Sequence, residues 1–317
     1  MITLSDIREA REAISGRIHR TPLLSFRALG RQAGFDCHIK AEQLQKTGSF
    51  KVRGALNKVR RLTAAEKARG LIAVSAGNHA QGVAYAAAAE GAACTVVMPE
   101  AAPRSKVEAS RGYGARIVQR GTLSDAFVLG EELCREHGYT FVHPYDDPDV
   151  IAGQGTLGLE LLEELPDLDA IVVGVGGGGL VTGIAAAVKA IRPAVRVIGV
   201  EPEGAACLTA ALRENRVVPL DRVETIADGL AAATAGENVL EIARTLVDDV
   251  VLVSDEEIAR GLAFLLERGK LLVEPAGAAG IAAILAGKLD LPAGSRVVTV
   301  ASGGNIDLTR LREILPH

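Results

Sequence analysis

A short glycine-rich segment from Ile171 to Leu180 has an order of residues that could bind a phosphate group. The apolar run Ile171 to Val173 predicts a buried strand. Gly174 and Gly176 to Gly179 predict a loop without side chains, and a helix is expected from Val181 to Ile191. Glycine lets a ligand approach the backbone, and the N–H groups and dipole at a helix N-terminus favour an anion. The first candidate chemistry is therefore binding of a phosphorylated ligand.

The same glycines leave the identity of the ligand open. Gly174, Gly176 and Gly179 match the G-x-G-x-x-G pattern of dinucleotide-binding folds. Glu201 follows at about the distance expected for an acid that binds a ribose, so an NAD-dependent oxidoreductase is an alternative. A tight turn that binds nothing is another, although five glycines in six positions are more than such a turn needs. The nucleotide triphosphate loop is excluded because no Gly-Lys-Ser or Gly-Lys-Thr follows.

The second candidate is an amine, Lys51, in the segment Lys46 to Ala55. The sequence predicts a helix that begins near Ser49, which places Lys51 in the first turn. The helix dipole and burial both disfavour a charged ammonium there, and a neutral amine can attack a carbonyl group. From position alone, a solvated surface lysine is the more frequent explanation.

Polar, glycine-containing loops also follow two other predicted strands. Ser75 to Gly82 follows the strand Leu71 to Ser75, and Ser302 to Asn305 follows the strand Arg296 to Ala301. Ligands of open α/β sheets bind at the carboxyl ends of the strands, where such loops lie. Three loops could converge on one compact cofactor, whereas a dinucleotide site needs only one loop and an acid. The pattern therefore favours the compact cofactor.

Two titratable residues near these loops have ordinary structural explanations. His79 could act as a general base, but a histidine at the start of a helix is more often a structural hydrogen-bond donor. Glu274 precedes Pro275 and a predicted helix, where a carboxylate commonly caps the N-terminus. The sequence alone therefore assigns catalysis to neither residue.

The elements that must position these loops predict an α/β fold with two open parallel-type sheets flanked by helices. Strand, loop and helix alternate from Gly70 to Phe141, which indicates a small parallel sheet. The chain then returns to a larger sheet after His143 to Tyr145. We expect a large domain formed by residues 1–69 and 146–317, with a small inserted domain formed by residues 70–145.

Composition and charge exclude several classes of function. With 48% hydrophobic residues, 35 glycines and only 3% aromatic residues, aliphatic strands are favoured over a surface that stacks on bases. The net charge of −4 has no basic tail, so no nucleic-acid partner is expected. No membrane partner is expected either, because the longest apolar run, Ala276 to Gly287, is too short to span a bilayer. A cytoplasmic location fits four widely spaced cysteines without a C-x-x-C motif: Cys37, Cys94, Cys134 and Cys207.

Four motifs resemble the pyridoxal-phosphate-dependent serine/threonine dehydratases, relatives of serine racemase with the fold of the tryptophan synthase β-subunit. In chain order they are Ser-Phe-Lys-Val-Arg-Gly-Ala from Ser49, Ser-Ala-Gly-Asn-His-Ala-Gln-Gly from Ser75, the run Gly176 to Gly179, and Ser-Gly-Gly-Asn from Ser302. The resemblance covers nearly the whole chain. It implies an ammonia-lyase that converts the amino acid L-threonine to 2-oxobutanoate and ammonia, and L-serine to pyruvate.

The resemblance also implies roles for individual residues. Lys51 would hold pyridoxal 5′-phosphate as a Schiff base and, once freed, would remove the α-proton of the substrate. The other cofactor contacts would come from Phe50, Asn78, Gly176, Gly177, Gly178, Gly179, Leu180 and Ser302. The substrate carboxylate would be held by Ser75, Gly77, Asn78 and His79. A homodimer or homotetramer is implied by the resemblance only.

Two departures from the patterns of relatives narrow the prediction. In serine racemases the segment that corresponds to the loop from Ser75 resembles Ser-Ser-Gly-Asn-His, and its second serine delivers a proton to the substrate. This chain has Ala76 at that position and should racemise weakly. Relatives that bind a divalent cation use a glutamate, a backbone carbonyl and an aspartate. Glu201 and Ala205 match the first two, but Cys207 replaces the aspartate, so no metal is expected because hard cations prefer oxygen.

Several alternatives stay open. Within the family they are a serine racemase and a 3-hydroxyaspartate ammonia-lyase. A third alternative is a catalytically silent relative that binds an amino acid, and the alternative from another class is the NAD-dependent oxidoreductase.

Overall fold

Ten strands form two separate sheets within residues 2–315, the part of the chain that the computed structural model describes. The strands are β1 (Leu23–Ser25), β2 (Asp36–Lys40), β3 (Leu71–Val74), β4 (Cys94–Met98), β5 (Arg116–Gln119), β6 (Thr140–Phe141), β7 (Ala170–Gly174), β8 (Arg196–Pro202), β9 (Asp249–Val253) and β10 (Arg296–Val300).

The larger sheet has six strands in the order β1-β2-β10-β7-β8-β9. β1 pairs antiparallel with β2, and the other neighbours pair in parallel. The smaller sheet has four parallel strands in the order β5-β4-β3-β6. Because parallel strands bring their carboxyl ends to one edge, the loops after β7 and β10 emerge on the same side of the larger sheet.

Helices follow or precede most of these strands. They are α1 (Leu4–Ile14), α2 (Arg27–Ala33), α3 (Lys51–Arg61), α4 (Ala64–Arg69), α5 (Asn78–Ala89), α6 (Arg104–Gly112), α7 (Leu123–His137), α8 (Pro148–Glu164), α9 (Gly179–Ile191), α10 (Cys207–Glu214), α11 (Glu237–Leu246), α12 (Asp255–Phe264), α13 (Pro275–Leu285) and α14 (Leu308–Ile314). Within residues 2–315, every helix is too short or too polar to cross a bilayer.

The central strand β7 shows why its sequence is apolar at every position. Successive side chains of a strand point to opposite faces, and helices cover both faces of a parallel sheet. Ile171 and Val173 accordingly pack in one cluster with α8 and α9, whereas Ala170 and Val172 pack in another with α13. A strand that is buried on both faces leaves only its end for chemistry, so the loop after Gly174 lies at the sheet edge.

The structure confirms the predicted fold class, an α/β fold with two parallel-type sheets flanked by helices. The smaller sheet is formed by chain segments that lie between β2 and β7 in sequence. Helix α3 packs against α5, and its buried residues share one hydrophobic cluster with β3, β4 and α5. The element that carries Lys51 therefore lies beside the helix that follows β3 of the smaller sheet. The domain boundaries at residues 69/70 and 145/146 stay a prediction.

Candidate active site

The loops after β3 and β10 meet the turn that precedes α3. The N–H of Phe50 donates to the carbonyl oxygen of Ser302 at 3.1 Å, and Ser49 forms an isolated antiparallel bridge with Gly303. A Cβ atom added at Gly303 would lie 2.9 Å from Nδ2 of Asn78, the first residue of α5. Three segments that are far apart in sequence therefore meet at the turn that immediately precedes Lys51.

Lys51 is the first residue of α3, and its amine lies against the backbone rather than extending into solvent. Nζ donates to the carbonyl oxygen of Pro144 at 2.7 Å and lies 5.2 Å from the centroid of the Phe50 ring. Burial lowers the pKa of Lys51 to about 8, and the charge of Glu274 opposes this shift. At pH 7 roughly a tenth of the Lys51 side chains are then neutral, far more than for an ordinary lysine, and the neutral amine is the nucleophilic and basic form.

The glycine-rich loop after β7 lies against Tyr145, the residue next to the carbonyl that Lys51 contacts. Gly178 has a φ of +92°, in the left-handed region that favours glycine. A Cβ atom at Gly179 would lie 2.6 Å from the carbonyl oxygen of Tyr145, and one at Gly177 would overlap the Tyr145 ring. The backbone N–H groups of Gly176 to Gly178 donate to no acceptor in residues 2–315. The loop therefore offers free donors at the N-terminus of α9, as a phosphate site requires.

Two residues that follow this loop and β10 are also buried at the expected places. Leu180 lies in the first turn of α9 and is 5% exposed, and Ser302 follows β10 and is 5% exposed. Ser302 lies beside the start of α3, because its carbonyl oxygen accepts a hydrogen bond from the N–H of Phe50. Both positions therefore remain compatible with the cofactor contacts that the sequence predicts for them.

The loop after β3 presents part of the donor set predicted for a carboxylate. The N–H of Gly77 donates to Oγ of Ser75 at 3.1 Å, so this N–H is already engaged. The N–H groups of Asn78 and His79 lie in the first turn of α5 and donate to no acceptor in residues 2–315. These free donors and the positive end of the α5 dipole favour an anion at this point.

The side chain of His79 has a structural role. Its Nε2 lies 2.8 Å from the carbonyl oxygen of Val142, so this nitrogen must carry the proton. Burial lowers the pKa of His79 to about 3, with the Lys51 charge as the next cause. The imidazole is therefore neutral, and its one N–H is already hydrogen-bonded to Val142. Any contact of His79 with a carboxylate would come from its backbone N–H.

Glu274 is the functional candidate that the sequence interpretation missed. It precedes α13, but its side chain makes no capping hydrogen bond, so the capping interpretation is wrong. Instead Oε1 accepts a hydrogen bond from Nδ2 of Asn78 at 2.5 Å, and the residue is only 6% exposed. An acid embedded in the apolar segment Leu271 to Leu285 was the available signal, because a buried carboxylate needs a partner.

Burial also makes folding stability depend on the ionisation of Glu274. Burial raises the pKa of Glu274 from 4.5 to about 7, and the charge of Lys106 partly opposes the shift. The folded protein therefore binds this proton more tightly than the unfolded chain does. The contribution of the protonated carboxyl group to the free energy of unfolding is fully present below pH 4.5 and is lost as the pH rises to about 7.

Replacing this carboxyl group with an amide should remove that pH dependence. We expect Glu274→Gln to gain stability relative to the wild type between pH 4.5 and 7, by as much as about 3 kcal/mol. Urea denaturation of the cofactor-free protein at several pH values measures this difference, with the exposed Glu267→Gln as the control for loss of a carboxylate. A stability difference that stays constant with pH would contradict the expected coupling.

Glu201 is already fully hydrogen-bonded. Its carboxylate accepts from the N–H groups of Leu208 and Thr209 at 2.7 and 2.8 Å and from the Thr209 hydroxyl at 2.6 Å. It therefore caps the start of α10 rather than facing a ribose. Next to it, burial raises the pKa of Cys207 to about 12, and its thiol lies 3.4 Å from the carbonyl oxygen of Gly176. A protonated thiol beside Glu201 and Ala205 is a poor ligand set for a hard cation, and the expected absence of a metal stays a prediction.

Comparison with known proteins identifies relatives over nearly the full chain. A family model described as "Pyridoxal-phosphate dependent enzyme" matches residues 14–303. The L-threonine ammonia-lyase of Thermotoga maritima is 46% identical over 316 residues, which cover 99% of this chain and 78% of that protein. The structure of maize serine racemase has a TM-score of 0.94 at 36% identity, with 98% and 96% of the two chains covered. A processed threonine deaminase isoform from Solanum lycopersicum has a TM-score of 0.93 at 37% identity, with 98% and 91% covered.

Proposed function

The chain belongs to the family of pyridoxal-phosphate-dependent enzymes, and on this basis we propose that it converts L-threonine to 2-oxobutanoate and ammonia, and L-serine to pyruvate and ammonia. The observation that carries the proposal is the position of Lys51. Its amine has a lowered pKa and contacts the carbonyl of Pro144, whose neighbour Tyr145 packs against the glycine-rich loop. Relatives that are named threonine ammonia-lyase and threonine deaminase support the choice of substrate.

The donors and the amine of the site fit pyridoxal 5′-phosphate. Bound, this cofactor supplies an aldehyde that can condense with an amine and a ring that stabilises negative charge at the substrate Cα. The free N–H groups of Gly176 to Gly178 would hold its phosphate, and Lys51 would hold its aldehyde carbon. We propose Phe50 as a contact of the cofactor ring, and Gly179 and Leu180 as further contacts beside the phosphate.

Two uncharged side chains, the amide of Asn78 and the hydroxyl of Ser302, would set the polarity around the cofactor ring. Asn78 donates one N–H of its amide to Glu274, which leaves the second N–H for the 3′-oxygen. Ser302 would face the ring nitrogen, and a hydroxyl group cannot supply the negative charge that an aspartate would. Less negative charge would then be drawn into the ring, which favours loss of the β-hydroxyl group.

The remaining steps fall to the backbone donors and to Lys51. The N–H groups of Asn78 and His79 would bind the substrate carboxylate, with Ser75 and Gly77 shaping the loop. The neutral Nζ of Lys51 would then remove the α-proton, and the β-hydroxyl group would leave with a proton as water. Addition of water at the carbon that bears nitrogen releases ammonia and the 2-oxo acid, which balances the overall reaction.

A product assay distinguishes this function from racemisation. Position 76 is an alanine, whose methyl group cannot deliver a proton to the opposite face of the substrate. We expect 2-oxo acid from L-threonine and L-serine, with little D-serine, when both products are followed by chiral chromatography. Comparable rates of D-serine and pyruvate formation would contradict the assignment, and a faster reaction of 3-hydroxyaspartate would change the proposed substrate.

Gly179→Ala tests the role of the glycine-rich loop. The added Cβ atom would lie 2.6 Å from the Tyr145 carbonyl oxygen, so the backbone must shift and the donors of the loop must move. We expect the dissociation constant of pyridoxal phosphate to rise about tenfold or more, as measured by fluorescence titration. Gly112→Ala is the matched control, because a Cβ atom there meets nothing within 4 Å. Equal affinities of the two variants would contradict this role.

Assembly, location and domain division are further proposals. We propose a homodimer or homotetramer, which light scattering of the purified protein tests, and a cytoplasmic location. The four cysteines support the location because all are free thiols in the structure. We also propose that residues 70–145 form a small domain inserted into a large domain of residues 1–69 and 146–317, which limited proteolysis tests.

A further inference from the structure

Asn305 closes the Ser-Gly-Gly-Asn motif, and together with Asn78 and Glu274 it forms a chain of hydrogen-bonded side chains, called here the polar chain. Nδ2 of Asn305 donates to the carbonyl oxygen of Thr47 at 2.8 Å and to Oδ1 of Asn78 at 2.8 Å. Nδ2 of Asn78 in turn donates to Oε1 of Glu274 at 2.5 Å. The polar chain thus joins the loop after β10, the start of α5 and the residue before α13.

Hydrogen-bond chemistry fixes the orientation of both amides in the polar chain. A backbone carbonyl can only accept, so the Asn305 atom that faces Thr47 must be its NH₂ group. The same NH₂ group faces Asn78, which must therefore present its oxygen. The NH₂ group of Asn78 is then left to face Glu274, and its second N–H stays free. A flipped Asn78 would place its NH₂ group against that of Asn305 and, where Glu274 is ionised, its oxygen against the Glu274 carboxylate.

The polar chain is also tied to the turn that carries Lys51. Thr47 has a φ of 65°, which is unfavourable for a β-branched residue and persists only where the surroundings hold it. The Asn305 amide supplies one restraint, and the N–H of Gly304 supplies another by donating to the carbonyl oxygen of Gly48 at 2.9 Å. The same loop therefore restrains both the Asn78 amide and the start of α3.

We propose that Asn305 and Glu274 are positioning residues, which act through Asn78 by holding its amide with an N–H directed at the 3′-oxygen of the cofactor. They keep the amide oxygen of Asn78 away from that electron-rich atom. This inference rests on the proposed binding of pyridoxal phosphate, but not on the identity of the amino-acid substrate.

Asn305→Asp tests the orientation with almost no change of shape. The aspartate has no N–H to offer to Thr47 or to Asn78. At a pH above about 7, where Glu274 is ionised, Asn78 cannot turn over without losing its hydrogen bond to Glu274. We expect the near-visible absorption band of the bound cofactor to shift and the dissociation constant of pyridoxal phosphate to rise about tenfold or more. Asn57→Asp is the matched control, since this buried amide donates to the carbonyl oxygen of Asp149 outside the polar chain. It should lose stability without moving the band.

Two substitutions at Glu274 keep the test decisive if Asn305→Asp does not fold. Glu274→Gln still offers an amide oxygen to Asn78 and should retain the position of the band, whereas Glu274→Ala offers no acceptor and should shift it. Folded Asn305→Asp and Glu274→Ala proteins with the wild-type band and affinity would overturn the proposal.

The wild-type protein separates this inference from the proposed reaction. A wild-type band without turnover of L-threonine or L-serine would refute the reaction alone, and the shifts in the variants would still decide the role of the polar chain. A wild-type protein that shows no band with pyridoxal phosphate would overturn both.

Discussion

Replacement of Lys51 by alanine is expected to lower the turnover of L-threonine by about a thousandfold or more and to remove the near-visible band of the bound cofactor. The alanine removes both the amine that would hold the cofactor and the base that would take the α-proton, and such proton transfer alone contributes a hundredfold to ten-thousandfold. Steady-state assays of 2-oxobutanoate and an absorption spectrum of the purified protein measure the two effects.

The control for this substitution is another lysine of the same helix. Lys58 also lies in α3 and forms an ion pair with Asp147 at 2.7 Å. Lys58→Ala should keep the band and most of the turnover, because a partly exposed ion pair is worth about 1 kcal/mol or less. Near wild-type turnover by Lys51→Ala would refute the assignment of this residue.

The second large effect is expected at Arg53, two residues further along α3. Arg53 is fully buried, and its guanidinium forms two 2.8 Å hydrogen bonds with the carboxylate of Glu42, which is also fully buried. It contacts Glu160 at 2.7 Å as well, and Lys40 contacts Glu160 at 2.9 Å. Arg53→Met would leave Glu42 buried without a cation, which costs about 3–5 kcal/mol of folding free energy.

Urea denaturation and calorimetry measure this loss of stability. A cost of that size in a chain of this length corresponds to a fall in Tm of roughly 5–8 °C. Arg60→Met is the matched control, since Arg60 lies on the same helix and pairs with a half-exposed Glu9 at 3.0 Å. It should cost about 1 kcal/mol or less. The double variant Arg53→Met with Glu42→Gln should recover part of the loss, and equal stability of the two single variants would contradict the role of Arg53.

Periodicity predicts much of this fold because it reports burial directly. The run Ile171 to Val173 is apolar because both faces of β7 are covered. Glycines follow because Tyr145 leaves no room for a Cβ atom at Gly177 or Gly179 and because Gly178 has a left-handed backbone. The predicted alternation from Gly70 to Phe141 is confirmed as the four-stranded parallel sheet. Such local patterns need no knowledge of distant residues.

Structural features that depend on residues far apart in the chain cannot be predicted from local sequence patterns in the same way. The predicted start of α3 near Ser49 is two residues early, because Ser49 is held in an extended bridge to Gly303. The capping interpretation of Glu274 fails for a similar reason, since its partner Asn78 lies 196 positions away. Arg53 belongs to a motif quoted from the sequence, but its partner Glu160 lies 107 positions further along. Sequence patterns identify such residues as unusual without identifying what they contact.

The most direct test of this account is to locate the cofactor on the chain. The purified protein, loaded with pyridoxal phosphate and reduced with borohydride, would be digested and analysed by mass spectrometry. The account predicts a pyridoxyl group on Nζ of Lys51. A pyridoxyl group on a different lysine, or none on any peptide, would contradict it.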